Sequence, residues 1–216
     1  MPVSAKICGV NAPEAAAAAI AGGASHIGLN FYPPSPRYVS PSEAAALAAG
    51  VPPAVCRVGL FVDADDDTLG ATLDEVGLDL LQLHGDESVE RVSAVRQRFG
   101  IDVMKAIRVA GPDDIAQAGA FAEVADWLLF DARAPEDMVD ALPGGNALSF
   151  DWRLIAGQSW PVPWMLSGGL EAGNVAEAVA VSGAPVVDVS SGIEDRRGHK
   201  SPEMIAAFLA LVAGLE

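Results

Sequence analysis

Apolar and polar positions fall in alternating blocks along this chain of 216 residues. Eight short runs rich in Val, Ile and Leu, at 3–7, 26–31, 55–62, 79–83, 101–107, 127–131, 163–167 and 185–189, are apolar almost throughout rather than at every second position. That pattern belongs to strands covered on both faces, as in a parallel sheet flanked by helices. Between and after the runs lie segments of helical character, roughly 12–21, 42–49, 65–76, 87–98, 112–121, 151–157, 171–182 and 202–213, several opened by a residue that starts helices: Asn11, Ser40, Asp65 and Asp86. Strict alternation of strand and helix predicts an α/β fold with a parallel sheet, and eight repeats of the unit favour a closed (β/α)8 barrel over an open doubly wound sheet. The length suits one such domain, spanning 1–216.

A closed barrel gathers the carboxyl ends of its strands around one mouth, so the residues ending each run become neighbours. Cys8 ends the first run in KICGV and Asp131 ends the sixth in LLFDAR. Side chains alternate along a strand, which pairs Lys6 with Cys8, Gly28 with Asn30, Gln82 with His84 and Leu129 with Asp131 on the inner face, with Asp188 near the end of the last run. Their neighbours Ile7, Leu83, Phe130, Val187 and Val189 then face the helices. A ring of polar groups is costly in a core and useful for chemistry, and a thiol opposite a carboxyl suits an acid/base pair. Lys6 supplies positive potential to lower the thiol's pKa, and burial beside Leu129 favours a carboxyl that keeps its proton. The small-residue segments LSGGL (166–170) and DVSSG (188–192) follow the last two strands, where backbone N–H groups of Gly168, Gly169, Ser190, Ser191 and Gly192 can surround a phosphate. Arg37, in the proline-stiffened PPSPRYV, is suited to a carboxylate. The three long connections, 32–41, 132–149 and 190–202, all follow strands and so belong to the same face.

Composition narrows the partners. Thirteen basic against 29 acidic residues leave a formal charge of −16, with the basic ones scattered, which argues against nucleic acid and anionic membranes. An anionic small molecule must therefore be captured by local donors. Two cysteines in apolar runs suit a reducing compartment, the N-terminus shows neither signal nor transit character, and no apolar stretch reaches the ~18 residues of a membrane span. The expectation is a soluble cytoplasmic protein, monomer or homodimer. Zinc-ligand spacing, a phosphate-binding G-x-x-x-x-G-K-[ST] and a strand-linked G-x-G-x-x-G do not occur in the sequence, so cofactor-free and metal-free chemistry is expected. His26, His199 and a mid-strand Cys56 read as structural or surface residues.

In order along the chain, KICGV (6–10), GLNFYPPSPRYVS (28–40), RVGLFVD (57–63), LQLHGDE (81–87), KAIRV (105–109), LLFDAR (128–133), SFDW (149–152), LSGGL (166–170) and VDVSSGIED (187–195) resemble the phosphoribosylanthranilate isomerases of tryptophan biosynthesis. The resemblance implies an Amadori rearrangement of N-(5-phosphoribosyl)anthranilate to 1-(2-carboxyphenylamino)-1-deoxyribulose 5-phosphate. It implies Asp131 as general acid at the ring oxygen and Cys8 as general base at C2′. Arg37 would grip the anthranilate carboxylate, His84 and Asp188 would orient, and Gly168, Gly169, Ser190, Ser191 and Gly192 would hold the phosphate. GGNALSFDW (144–152) departs from the family's GGxGK(T/S)FDW-like lid at Ala147 and Leu148, and Asn11 stands where Thr is usual, both able to cap a helix. Indole-glycerol-phosphate synthase shares the barrel and phosphate loops but calls for more strand-end lysines than Lys6 and Lys105, and a metal-dependent epimerase calls for a His/Asp ligand set. A non-catalytic barrel that binds a phosphorylated metabolite is the reading from another class; it has no use for both Cys8 and Asp131.

Overall fold

Eight parallel strands pair in sequence order and close into a barrel, the last beside the first: β1 (Ser4–Cys8), β2 (His26–Asn30), β3 (Cys56–Phe61), β4 (Leu80–Leu83), β5 (Asp102–Val109), β6 (Trp127–Ala132), β7 (Trp164–Leu166) and β8 (Val186–Val189). The computed structural model describes residues 2–135, 138 and 142–215. Helices α1 (Pro13–Ala21), α2 (Pro41–Ala48), α3 (Asp66–Glu75), α4 (Val89–Phe99), α5 (Pro112–Ala122), α6 (Val175–Ser182) and α7 (Pro202–Val212) follow the strands, and a small hairpin of β9 (Glu194–Arg196) and β10 (His199–Lys200) precedes α7. None of these helices is long and apolar enough to cross a membrane.

The alternation read from the sequence sorts the core. Val58, Leu80, Met104, Ala106, Leu129, Met165 and Val186, from strands β3 to β8, pack on one another inside the barrel. Ile7, Phe130, Val187 and Val189 pack outward with the helices in one layer, and Leu83 in a second. The inner apolar layer forms a floor, and the polar ring of Lys6, Cys8, Gln82, His84, Asp131 and Asp188 is carried further along the strands, all buried.

Local capping chemistry sets several helix starts. Ser40 Oγ accepts from the Glu43 N–H at 3.3 Å while the Ser40 N–H donates to Glu43 Oε2 at 2.8 Å, a reciprocal box that opens α2. Asp65 Oδ1 accepts from the Thr68 N–H at 2.8 Å and opens α3. Ser40→Ala removes the box and lowers stability by about 1 kcal/mol, read as a drop in the denaturation midpoint with unchanged slope.

Two expected caps are replaced. The capping position of α1 is Ala12, with no described side-chain cap, because the Asn11 amide instead donates to the Gly198 carbonyl at 2.9 Å and ties β1 to the hairpin. Ser88 caps α4, whereas Asp86 is drawn away by an ion pair with Arg108 and by its own N–H, which donates to Asp63 Oδ1 at 2.7 Å. The helix expected over 151–157 is a single 3₁₀ turn, Trp152–Leu154: Asp151 caps it, and Gly157, at φ +71°, turns the chain away before a second turn can form. Helix α6 begins at Val175 rather than at 171, since Asn174 binds back to the Glu171 N–H and the Gly169 carbonyl. Cys56 is the first residue of β3 and half-buried, not a mid-strand residue. Of the connection 132–149, residues 136, 137 and 139–141 lie outside the described residues.

Candidate active site

A small cavity of ≈ 50 Å³ lies at the carboxyl ends of the strands, and Cys8, Arg37, His84, Asp131, Gly168, Gly169, Asp188, Ser190 and Ser191 all line it. The barrel therefore joins residues from both ends of the chain, as the strand-end positions require. Gly192 is not part of that lining; it bridges to Glu171, where the two small-residue loops cross.

Register across β1 and β8 places Lys6 beside Asp188, and Lys6 Nζ donates to Asp188 Oδ1 at 2.7 Å. Ser167 Oγ donates to the other oxygen at 3.1 Å. Burial opposes the charge on Lys6, but attraction to Asp188 and Cys8 outweighs it and leaves its pKa raised. Lys6 does pull the Cys8 thiol down, as expected, but the thiol does not end below its ordinary value. Burial is the largest influence and pushes the thiol's pKa up; Lys6 and Lys200 pull the other way, and Asp188 cancels part of their effect.

A hydrogen-bonded chain runs along β4 to β6. Gln82 Nε2 lies 2.7 Å from His84 Nδ1, His84 Nε2 lies 3.1 Å from Asp131 Oδ2, and Asp131 Oδ1 accepts the Ala132 N–H at 2.9 Å. In this arrangement Gln82 Oε1 is buried without a partner among the described residues. Turning the Gln82 amide over lets Oε1 accept an Nδ1–H, and His84 Nε2 then accepts from a protonated Asp131. The same three side chains thus hold the carboxyl with or without its proton.

Arg37 is buried rather than presented to solvent by its prolines. Its methylenes lie across the end of β1, where Gly9 has φ +74° and an added Cβ would stand 2.7 Å from Arg37 Cδ, so the glycine of KICG serves this crossing. Its guanidinium pairs with Glu194, which sequence reasoning left as an unremarked member of VDVSSGIED. Lys200 was missed as well: its buried Nζ donates to the Ser190 carbonyl at 2.8 Å and to Ser190 Oγ at 3.1 Å, and Ser190 Oγ donates to the Cys8 carbonyl at 3.2 Å. Burial lowers its pKa to about 8 despite the pull of Glu194, with Arg37 adding repulsion. Position in a long mouth loop was the only available signal for either residue. His26 lies at the start of β2, 2.8 Å from Ser25 Oγ and edge-on to Trp127; burial, then Lys6, lower its pKa to about 4. His199 is exposed and pairs with Asp195. Among the described residues no cluster of three or more His, Cys, Asp or Glu side chains is arranged to hold a metal ion.

The profile of N-(5'-phosphoribosyl)anthranilate (PRA) isomerase matches residues 5–210. The chain belongs to the N-(5'-phosphoribosyl)anthranilate isomerase family. The isomerase of Rhodospirillum centenum is 60% identical over 215 residues, covering 100% of both chains. The crystal structure of the Thermotoga maritima isomerase superposes with a TM-score of 0.85 at 35% identity, over 99% of this chain and 100% of that one. A phosphoribosyl anthranilate isomerase crystallised with reduced 1-(o-carboxyphenylamino)-1-deoxyribulose 5-phosphate superposes with a TM-score of 0.82 at 34% identity, over 99% and 100% of the two chains. The isomerase-like segment GGNALSFDW carries its departure in the backbone: Ala147 takes φ +57°, a conformation natural to the glycine usual there, and Leu148 turns into the cavity wall. An alanine in that region costs about 1–2 kcal/mol relative to glycine.

Proposed function

We propose that this chain isomerises N-(5-phosphoribosyl)anthranilate to 1-(2-carboxyphenylamino)-1-deoxyribulose 5-phosphate in tryptophan biosynthesis, with Asp131 as general acid and Cys8 as general base. The observation that carries the assignment of roles is the placing of a buried thiol on β1 and a hydrogen-bonded carboxyl on β6 in the wall of one cavity. Asp131 delivers a proton to the furanose ring oxygen, opening the ring to a protonated Schiff base. Cys8 removes the C2′ proton, and the resulting enolamine tautomerises to the ketone. The positive charge of the Schiff base offsets the thiolate, so a thiol whose pKa burial raises becomes a competent base once the substrate ring has opened. The loops at 168–169 and 190–191 hold the phosphate, Arg37 meets the anthranilate carboxylate, and His84 and Asp188 orient the acid and the Lys6 ammonium. We place this activity in the cytoplasm.

The turn at 144–145 must withdraw for substrate to enter. A Cβ added at Gly144 would stand 2.6 Å from Asp131 Oδ2 and 2.7 Å from His84 Nε2, and the Gly145 carbonyl accepts from Arg37 Nη2 at 3.3 Å. The turn therefore covers the acid and the carboxylate contact together. Adding phosphoribosylanthranilate and following the loss of its fluorescence tests the activity; product binding without turnover marks a binding barrel instead.

Arg37→Ala removes one charge-assisted contact, worth about 1.5–3 kcal/mol, and so weakens capture of the carboxylate-bearing compound by roughly ten- to a hundredfold. A sugar-phosphate analogue without the carboxylate keeps its affinity. If titration shows both ligands weakened equally, Arg37 is a phosphate or structural residue.

A further inference from the structure

Arg37 reaches the mouth with one edge of its guanidinium already occupied. Nε donates to Glu194 Oε1 at 2.7 Å and Nη2 to Glu194 Oε2 at 3.0 Å, a side-on two-point pair between almost wholly buried groups. Glu194 is itself fixed from behind, Oε1 accepting from Lys200 Nζ at 2.8 Å and Oε2 from the Gly198 N–H at 3.0 Å. Burial raises its pKa, but the Arg37 hydrogen bonds and Lys200 overcome this and bring it down to about 2, so the carboxylate is ionised throughout the neutral range. The guanidinium's end-on edge, Nη1 and Nη2, is the part that meets the cavity: the Gly145 carbonyl sits on Nη2 at 3.3 Å, and an added Cβ at Gly145 would stand 2.6 Å from Nη1.

We infer that Glu194 is the positioning residue for carboxylate recognition: it fixes the Arg37 guanidinium so that the end-on edge is presented to the carboxylate of the bound aromatic ring. The inference rests on Arg37 being the carboxylate contact. Two geometric facts support it. A long arginine side chain loses several rotamers on binding unless something holds it beforehand, and the side-on pair does so while leaving the second edge to the Gly145 carbonyl, on the turn that withdraws for substrate. Lys200 Nζ binds the Ser190 carbonyl as well as Glu194, so the carboxylate that holds Arg37 is itself anchored to the loop after β8. Arg37 and Lys200 against Glu194 leave one positive charge at this side of the mouth, in a chain whose formal charge is −16. Glu194 thus aims the cationic fork without cancelling the attraction.

The test uses the purified full chain with Glu194→Gln and Arg37→Ala, singly and together. Each protein is titrated with reduced 1-(o-carboxyphenylamino)-1-deoxyribulose 5-phosphate and with the matching N-phenyl compound that lacks the carboxylate, and steady-state rates are measured. Glutamine keeps the volume and one acceptor oxygen but cannot satisfy both Arg37 donors and both rear donors. Glu194→Gln weakens the carboxylate-bearing ligand by about tenfold while the N-phenyl ligand changes less than about twofold, and KM rises more than kcat falls. The double variant binds the carboxylate-bearing ligand no more weakly than Arg37→Ala alone, because the two residues act through one contact. Equal weakening of both ligands, or unchanged affinity for both, overturns the inference. If Arg37→Ala is selective and Glu194→Gln is not, this inference fails alone; if Arg37→Ala weakens both ligands alike, the carboxylate reading of Arg37 fails with it. Glu194→Asp, which keeps the charge and shortens the reach, is read by the same criteria if the glutamine variant does not fold.

Discussion

Cys8→Ser lowers turnover by at least about a hundredfold, the scale on which an acid/base group contributes, while the phosphate-bearing product analogue still binds. Serine preserves the size and leaves the backbone carbonyl of residue 8 to accept from Ser190 Oγ, so the loop after β8 keeps its anchor. What changes is acidity: a hydroxyl does not ionise at a pH the protein survives. The raised pKa of the buried thiol adds a second signature. A base whose folded pKa lies above the ordinary thiol value ionises later as pH rises, so the wild-type kcat/KM profile carries a limb at or beyond that value, and the serine variant lacks it. Near-normal turnover in a folded Cys8→Ser protein, checked by circular dichroism, rejects Cys8 as the base.

Asp131→Asn abolishes turnover to within the background of the fluorescence assay, a loss of about two to four orders of magnitude. Asparagine keeps an oxygen for the Ala132 N–H and a partner for His84 Nε2, so the geometry of the wall survives and only the transferable proton is lost. The proposed phosphate loops, which follow β7 and β8, are untouched, and affinity for inorganic phosphate or a sugar phosphate stays within a few fold. Activity equal to the wild type removes Asp131 from the mechanism. Lost activity together with lost phosphate affinity makes the carboxyl a structural member of the wall instead.

The readings that held depend on short stretches of chain. Burial of a parallel strand on both faces leaves an apolar run, and all eight runs became β1 to β8, with ends shifted by a residue or two. Side-chain alternation within a strand then dictated that Lys6, Cys8, Gln82, His84 and Asp131 share a face, since one residue of slip would turn each toward the helices. Ser40 and Asp65 capped as read, because their partners lie three residues away.

The two cap readings that failed depend on distant partners. Asn11 and Asp86 have the chemistry of caps, but the Gly198 carbonyl and the Arg108 guanidinium compete for them, and no local pattern announces a competitor that far along the chain. The segment 151–157 has helical composition, yet Asp151 and Gly157 confine it to one turn.

By itself, then, the sequence determined the barrel, the family and the strand-end groups at the mouth, because strand burial, side-chain alternation and motif order are properties of contiguous residues. The tertiary structure decided how those groups are held and charged. Arg37 and Glu194 are 157 positions apart and meet only when the loop after β8 folds over the end of β1. The Cys8 thiol is raised because the closed barrel buries it, and because Asp188, brought in from the opposite end of the chain, offsets part of the pull of Lys6. A pKa sums burial and every nearby charge, and neither quantity exists until the chain has closed on itself.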